Sequence, residues 1–265
     1  MLGQRVVWSL AFLLALLAVR HQWAWMAEAK RQPRVLVAFF VSAVLLSINW
    51  GTYIWAIVND HVLDASLGYF MTPLVNVALA YTVLHERLRR PQWIALSLAV
   101  LGVLWLTLQV GEVPWVSLVL ASSFGFYGLL RKIAKLGALE GLTLETLMLT
   151  PAAVATLAVL YANGDATFPT PDLAPNLWLL GVGPVTAVPL LLFAGGARRL
   201  SLVTLGLMQY ISPTLQFMLG VWVFHESFSA QRLVGFAFIW AALLLYTLDG
   251  WRVSRRVVEP VIVPG

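Results

Sequence analysis

The sequence contains no cysteine, which excludes disulfide frameworks and thiolate metal sites. Charged residues are also scarce, at 11% of the chain, whereas they make up about a quarter of ordinary soluble proteins. With 60% hydrophobic residues, 17 basic and 12 acidic side chains could not cover a globule without leaving large apolar patches in water. We therefore expect the chain to lie in a lipid bilayer.

The sequence contains long apolar runs with few charged residues. Nine such runs are bounded by charged, proline or glycine clusters, and most are too long and too continuous for β-barrel strands. The connectors between them are too short for a soluble domain. The sequence thus predicts an all-α polytopic membrane protein, a bundle with helices at residues 5–19, 35–58, 65–84, 93–108, 115–130, 144–161, 177–193, 203–224 and 233–247.

Basic residues alternate along the connectors. They cluster on every second connector, for example at Arg131, and only Arg5 and Arg232 fall on the other side. Because Lys and Arg are retained on the cytoplasmic side of a membrane, this pattern predicts a cytoplasmic C-terminus and an external Met1. A net charge of +5 could also indicate nucleic-acid binding, but charges spread over short loops favour orientation signals, so we expect no nucleic-acid partner.

The sequence contains an internal repeat. The stretch around Pro73 aligns without a gap on the stretch around Pro213, at an offset of 140 residues. The His-Glu pair that follows each proline, His85 and Glu86 in the first copy, aligns as well. Under the predicted topology the two copies run in opposite directions across the membrane, so they form an inverted repeat, which is the architecture of many secondary transporters.

The repeat predicts the domain organisation. Residues 1–108 and 115–247 should form the two repeats, and residues 248–265 a cytoplasmic tail. The helix that opens the second repeat has no counterpart after Met1, so we expect nine helices of a ten-helix, five-plus-five fold whose first helix is missing. The alternative takes residues 1–29 as a cleaved signal peptide. It would place the basic residues that follow outside and break the charge alternation.

Two prolines lie near the centres of their predicted helices. Each removes one backbone hydrogen bond and releases the carbonyl group four residues earlier. For Pro73 this is the carbonyl of Tyr69, and for Pro213 that of Gln209. Broken helices at the depth of the bilayer midplane mark the binding sites and hinges of transporters, so we predict that both prolines are hinges. The alternative is a kink that serves packing alone.

Uncharged polar and aromatic side chains within the apolar runs are the candidates for substrate binding. Amide groups in hydrocarbon need partners and should face the bundle interior or a wet cavity. The alternative role is to hydrogen-bond neighbouring helices together. The predicted substrate-binding residues are Asn49, Trp50, Tyr53, Tyr69, Asn76, Tyr127, Gln209 and Tyr210.

Arg5 and Glu145 are the ionisable residues just inside apolar runs, and the offset of 140 residues superposes them. Ionisable groups within a membrane are typical of ion or substrate pathways. We therefore predict both as candidates for coupling, and Glu145 as a site for a proton or for a substrate amine. The alternative for Glu145 is an acidic residue in the first turn of its helix, where the helix dipole favours it.

Searches for catalytic motifs find none. Neither His85-Glu86 nor His225-Glu226 is followed by a second histidine at the spacing of a zinc protease, and the sequence has no phosphate-binding glycine loop and no G-x-S-x-G. We therefore expect a protein that is not an enzyme and needs no cofactor or metal.

Several motifs resemble a known family. The segments "TPLVNVALAYTVLHERL" and "SPTLQFMLGVWVFHESF" resemble the EamA group of the drug/metabolite transporter superfamily, and "NWGTYIWAIVNDHVLDASLGYFMTPLVN", "SFGFYGLLRK" and "QYISPT" are similar to its RarD subfamily of bacterial inner-membrane proteins. The resemblance implies a ten-helix permease with a central cavity between the repeats. His85 and His225 depart from the family pattern, which usually has a glycine before the glutamate.

Together these features predict a secondary transporter of the bacterial inner membrane that works by alternating access. Its partners would be the lipid bilayer and a small-molecule substrate, and the resemblance implies export of small amphipathic metabolites, amino-acid-like compounds or drugs. Two alternatives remain open, a non-transporting membrane scaffold or regulatory subunit and, less favoured, a membrane enzyme. Paired broken helices favour the transporter, because a scaffold does not need them.

Overall fold

The computed structural model describes residues 2–109, 114–164, 168, 173–222 and 230–257. In these residues all regular secondary structure is helical, which confirms the predicted all-α class. The helices are α1 (Leu2–Arg20), α2 (Trp25–Lys30), α3 (Pro33–Val58), α4 (Val62–Thr82), α5 (Arg90–Leu108), α6 (Trp115–Ile133), α7 (Ala138–Ala162), α8 (Leu173–Arg199), α9 (Leu202–Met208), α10 (Ile211–Trp222) and α11 (Ala230–Val257).

Every predicted apolar run corresponds to helical structure. The short helix α2 is an addition within the first connector. The run at 203–224 is divided between α9 and α10, and its last two residues lie outside the described residues. Within the described residues, seven helices are long and apolar enough to cross a membrane by length and composition. The chain is therefore a multi-pass membrane protein, as predicted.

Some helices extend beyond their apolar runs. Helix α7 begins at Ala138, well before the predicted start at residue 144, and α11 continues to Val257, past the predicted end at 247. Apolar runs mark only the part of a helix that lies in hydrocarbon, whereas the backbone ladder can continue through polar residues on either side. The extra turns of α7 change the position of Glu145 within its helix.

The helices divide into two compact units. The first unit comprises Met1–Gly51 and Phe126–Leu200, and the second comprises Thr52–Gly125 and Ser201–Gly265. Each unit therefore contains helices from both sequence repeats.

In the first unit, α1 packs against α7 and α8. The approach to α8 is close at Gly183, where an added Cβ atom would overlap the backbone carbonyl of Trp8 and lie 2.9 Å from its Cβ atom. The Ser9 hydroxyl donates a hydrogen bond to the Gly183 carbonyl at 3.3 Å. Small residues allow such approaches between membrane helices, and the hydroxyl adds a bond across them.

In the second unit, α5 packs against α11 and α4 packs against α9. Two glycines bring α5 and α11 together, because a Cβ atom on Gly102 would lie 2.8 Å from the carbonyl oxygen of Gly235. An ion pair at 2.8 Å joins Arg89, the residue before α5, to Asp249 on α11. The pairs α1 with α7, α4 with α9 and α5 with α11 are the helices that the offset of 140 residues superposes, so repeat-related helices pack together.

Candidate functional site

A buried ion pair lies in the first unit. The side chains of Glu145 on α7 and Arg131 on α6 are both fully buried, and Arg131 Nη1 lies 3.5 Å from Glu145 Oε1. The Ser42 hydroxyl donates to the same oxygen at 2.6 Å, and the Tyr127 hydroxyl donates to Oε2 at 3.3 Å. Three donors from α3 and α6 therefore hold the Glu145 carboxylate.

The Arg131 guanidinium has further contacts. Its Nη2 donates to the carbonyl oxygens of Gly137 and Ala138 at 3.3 and 3.1 Å, and its Cζ lies 5.4 Å from the centre of the Phe39 ring. Gly141 leaves the space for it, since an added Cβ atom would overlap Nη1. The Nε group has no hydrogen-bond partner among the described residues.

Sequence reasoning missed this arrangement. It counted Arg131 as an orientation signal in a loop, but the residue lies in the last turn of α6 and is buried. The first-turn alternative for Glu145 is wrong, because α7 begins at Ala138 and its first-turn acid is Glu140. The available signal was the four-residue spacing of Tyr127 and Arg131, which places both side chains on one helix face.

Arg5 contacts two side chains of the first unit, and one of them is the predicted substrate-binding residue Trp50. Its Nε donates to Thr186 Oγ1 on α8 at 3.0 Å, and its Cζ lies 5.1 Å from the centre of the Trp50 ring on α3. Arg5 is half-buried and Trp50 is buried. Both of these contacts are with uncharged groups, and they orient the guanidinium.

A small cavity lies among α1, α3, α7 and α8 of the first unit. It has room for about one water molecule. Its walls are mainly aliphatic, with one indole and two hydroxyl groups. The lining includes Ser9, Leu46, Trp50, Thr146, Ala187 and Leu190.

Two buried amides meet in the second unit. Asn76 on α4 is fully buried, and its Nδ2 donates to Gln209 Oε1 at 3.0 Å. Asn76 Oδ1, Gln209 Nε2 and the buried Tyr210 hydroxyl have no hydrogen-bond partner in the part of the chain that the structure describes. Gly206 permits the approach, because a Cβ atom there would lie 3.0 Å from both Asn76 Cβ and the Pro73 carbonyl.

The second proline accompanies a helix break. Helix α9 ends at Met208 and α10 begins at Ile211, so Pro213 lies in the first turn of α10 and the expected central position is wrong. The Gln209 carbonyl is not released, since it accepts a hydrogen bond from the Ser212 amide at 3.2 Å. In contrast, α4 continues as a helix through Pro73.

The remaining predicted residues lie outside these groups. The rings of Tyr53 and Tyr69 meet edge to face in the second unit, with their centres 6.0 Å apart. Tyr69 is 41% exposed, and Tyr53 packs against a small apolar cluster that includes Ala56. Asn49 is half-buried on α3, next to Trp50.

The His-Glu motif of the first repeat caps a helix. The Glu86 carboxylate accepts hydrogen bonds from the Leu202 and Val203 amides, at 2.9 and 3.2 Å, at the start of α9. His85 has a φ of +52°, in the left-handed region that favours glycine. This conformation explains why a glycine fits at this position. The equivalent pair, His225 and Glu226, lies outside the described residues.

Apolar helices that hold a buried ion pair in one unit, and paired amides beside a broken helix in the other, are typical of a multi-pass membrane transporter. The sequence pattern of the EamA-like transporter family matches residues 1–108. Protein RarD of Streptomyces exfoliatus is 47% identical over 256 residues, which cover 96% of this chain and 81% of that protein. The chain belongs to the RarD subfamily of the EamA-like transporters.

Further relatives agree with this assignment. An uncharacterized transporter of Pseudomonas aeruginosa is 46% identical over 261 residues, 97% of this chain and 86% of the relative. The chloramphenicol-sensitive protein RarD of the same species is 35% identical over 264 residues, 96% of this chain and 86% of the relative. A crystal structure of another protein, 17% identical, has a TM-score of 0.64 over 97% of this chain and 88% of its own, which supports the fold alone.

Proposed function

We propose that this transporter is a secondary permease that exports small amphipathic molecules by alternating access. The observation that carries the proposal is the break between α9 and α10 beside the buried pair of Asn76 and Gln209. Discontinuous membrane helices with exposed polar groups at the break are where secondary transporters bind substrate. Gln209 Nε2 and Asn76 Oδ1 have no hydrogen-bond partner among the described residues, and this donor and acceptor suit a polar group of a substrate.

The substrate class follows from the same groups and from the relatives. Amides and the Tyr210 hydroxyl offer hydrogen bonds without charge, while the surrounding helices are apolar. One relative is named for sensitivity to chloramphenicol, a name that belongs to that protein and motivates the choice of probe here. We propose amino-acid-like compounds, metabolites or drugs as substrates.

Glu145 is the proposed coupling residue. Its carboxylate is buried in a membrane-spanning helix and bound by Arg131, Ser42 and Tyr127. A proton that neutralises this carboxylate would remove the partner of a buried guanidinium, so protonation and the side-chain bonds that join α6 to α7 would be linked. Protons are therefore the proposed coupling ion.

The proposed location is the bacterial inner membrane with the C-terminus in the cytoplasm. The alternating distribution of basic connectors supports this orientation. Arg131 no longer counts among the loop charges, because it is buried, but Lys132 and Lys135 remain near the same helix end.

Transport by purified protein in proteoliposomes tests the proposal. The probes are labelled chloramphenicol and a mixture of labelled amino acids, each measured with and without an imposed pH gradient. We expect gradient-dependent movement of at least one probe, loss of movement in Gln209→Leu, and normal movement in the exposed control Gln22→Leu. If no probe moves in the wild type under either condition, the alternative of a scaffold or regulatory subunit is supported instead.

A further inference from the structure

We propose that the first unit has a binding site for an anionic phospholipid at the start of α3. Basic side chains in the turn from α2 to α3 bind the phosphate of the headgroup, and an exposed apolar face of α3 binds an acyl chain. Lys30, Arg31 and Arg34 form this basic turn. The site goes beyond the proposed function, because it concerns a lipid partner and does not depend on whether the chain transports a substrate.

The charges of the basic turn have no acidic partner among the described residues. All three side chains are exposed, and none of them takes part in an ion pair in that part of the chain. The acidic residue nearest in sequence, Glu28, accepts a hydrogen bond from Gln32 Nε2 at 3.3 Å. Arg89 in the second unit differs, because Asp249 binds its guanidinium at 2.8 Å. The basic turn therefore presents positive charge that can attract an anion.

Packing holds the basic turn against the bundle. Trp25 on α2 packs against the buried cluster that includes Val35 and Phe39 on α3. Within the turn, Gln32 Oε1 accepts a hydrogen bond from Lys135 Nζ at 3.2 Å. This bond brings a fourth cation, from the connector between α6 and α7, to the same end of the first unit. Clusters of four or more basic residues beside a membrane-spanning helix are typical of sites for anionic lipids.

An apolar stripe continues from Arg34 along α3. Its members follow Arg34 at intervals of three and four residues, so they lie on one face of the helix. They are exposed, with fractions from 62% at Val37 to 37% at Val44. Helix α3 is long and apolar enough to cross a membrane, and an acyl chain along this stripe would continue from a phosphate at Arg34. The stripe consists of Val37, Val41, Val44 and Ile48.

The chemistry of the two parts defines the class of ligand. The planar fork of a guanidinium donates two parallel hydrogen bonds to phosphate oxygens, which favours a phosphate group at Arg31 and Arg34. A zwitterionic lipid also carries a cationic group, which the basic turn repels. Free phosphate lacks the acyl chain that the apolar stripe would contact. The arrangement therefore favours an anionic phospholipid.

Native mass spectrometry of the purified full chain in detergent tests the proposal. The probes are dioleoylphosphatidylglycerol and dioleoylphosphatidylcholine, which have the same acyl chains and differ in net charge. We expect the wild type to bind the anionic lipid at least about tenfold more tightly, because each basic side chain near the headgroup contributes about fivefold. In the triple variant Lys30→Gln, Arg31→Gln, Arg34→Gln this preference should be lost. The measurement is the dissociation constant of the first bound lipid.

A matched triple variant separates this site from a general attraction between charges. Arg87→Gln, Arg90→Gln, Arg252→Gln removes three exposed arginines of the second unit and should leave the preference unchanged. Arg34→Lys retains the charge and should retain most of the preference. Glycerol 3-phosphate has the phosphate without acyl chains and should compete at least about a hundredfold more weakly than the lipid, because the contacts with the apolar stripe are lost.

Four results would overturn the proposal. Equal binding of the two lipids by the wild type, or an unchanged preference in the folded triple variant of the basic turn, would remove the site. An equal loss in the second-unit variant would show that the attraction is spread over the whole surface. Competition by glycerol 3-phosphate as strong as by the lipid would leave an anion site without a lipid. Monodispersity and helix content of every variant are checked. If the triple variant of the basic turn does not fold, Arg34→Gln alone carries the test, with an expected loss of about fivefold in affinity for the anionic lipid.

Discussion

A cation in the interior of a membrane bundle needs partners for its charge nearby. For Arg131 these partners are the Glu145 carboxylate, two backbone carbonyls and the ring of Phe39. Removal of one member of such a pair is costly, since it leaves the other charge buried alone. Gly141 takes part through its lack of a side chain, as it leaves the volume that the guanidinium fills.

Glu145→Ala should therefore destabilise the protein strongly. In soluble proteins the loss of one partner of a buried ion pair costs about 3–5 kcal/mol, and we expect a large drop in thermal midpoint here. The double variant Arg131→Met, Glu145→Leu should recover much of the loss, because no charge is left unpaired. Glu28→Ala, at an exposed residue, is the control. Equal midpoints for Glu145→Ala and the wild type would show that the pair is not needed for stability.

Replacement of His85 by glycine should stabilise the folded protein. Its φ of +52° is unfavourable for a residue with a Cβ atom, and glycine adopts it freely. We expect His85→Gly to raise the stability by roughly 0.5–1 kcal/mol, seen as a higher thermal midpoint. His61→Gly, at a φ of −86°, should give no such rise. A lower midpoint for His85→Gly would mean that the imidazole has contacts that outweigh the backbone strain.

At the level of elements, the break between α9 and α10 is maintained by turn hydrogen bonds and by proline. The amide of Ser212 bonds to the Gln209 carbonyl, and that of Thr214 bonds to the Tyr210 carbonyl. Proline is tolerated in the first turn of a helix, where its missing amide hydrogen would have no intrahelical partner. The N-terminal end of α9 is separately fixed by Glu86 and by the Ser201 hydroxyl.

Pro213→Ala should join α9 and α10 into one helix. Alanine lacks the ring that blocks a continuous helix, and its amide would compete with that of Ser212 for the Gln209 carbonyl, so stability should hold while the break is lost. We expect transport per folded protein to fall about tenfold, equivalent to roughly 1.4 kcal/mol in the barrier. Pro73→Ala, in a helix that is already continuous, should have a smaller effect. Full transport in Pro213→Ala would remove the break from the mechanism.

At the scale of the whole molecule, the basic connectors predict a membrane orientation. Reporter fusions after Arg90, Arg199 and Arg256 should report the cytoplasm, and fusions at Gly111 and Gly164 the outside. The measurement is the activity of paired reporters that work on opposite sides of the membrane. An external signal at Arg256 would reverse the assignment.

Hydrophobicity predicted the long helices, because the thickness of the bilayer sets the length of an apolar run that spans it. Hydropathy did not predict the break within residues 203–224, because it does not depend on which backbone hydrogen bonds form. It also assigned Arg131 to a loop, because the partner that retains it inside, Glu145, lies on another helix. The sequence identified the candidate residues as polar groups in apolar helices. Which of them contact each other depends on how the helices pack, and this could not be predicted from the sequence.

Repeat-related helices pack together inside each unit, so both halves of the sequence are needed to assemble it. Neither half contains a complete unit, because each unit consists of helices from both halves. A protein of one repeat would reach the same packing only as two copies inserted in opposite orientations. Fragments 1–112 and 113–265 should therefore copurify when coexpressed and be degraded when expressed alone. A stable fragment on its own would show that one half can cover its own apolar faces.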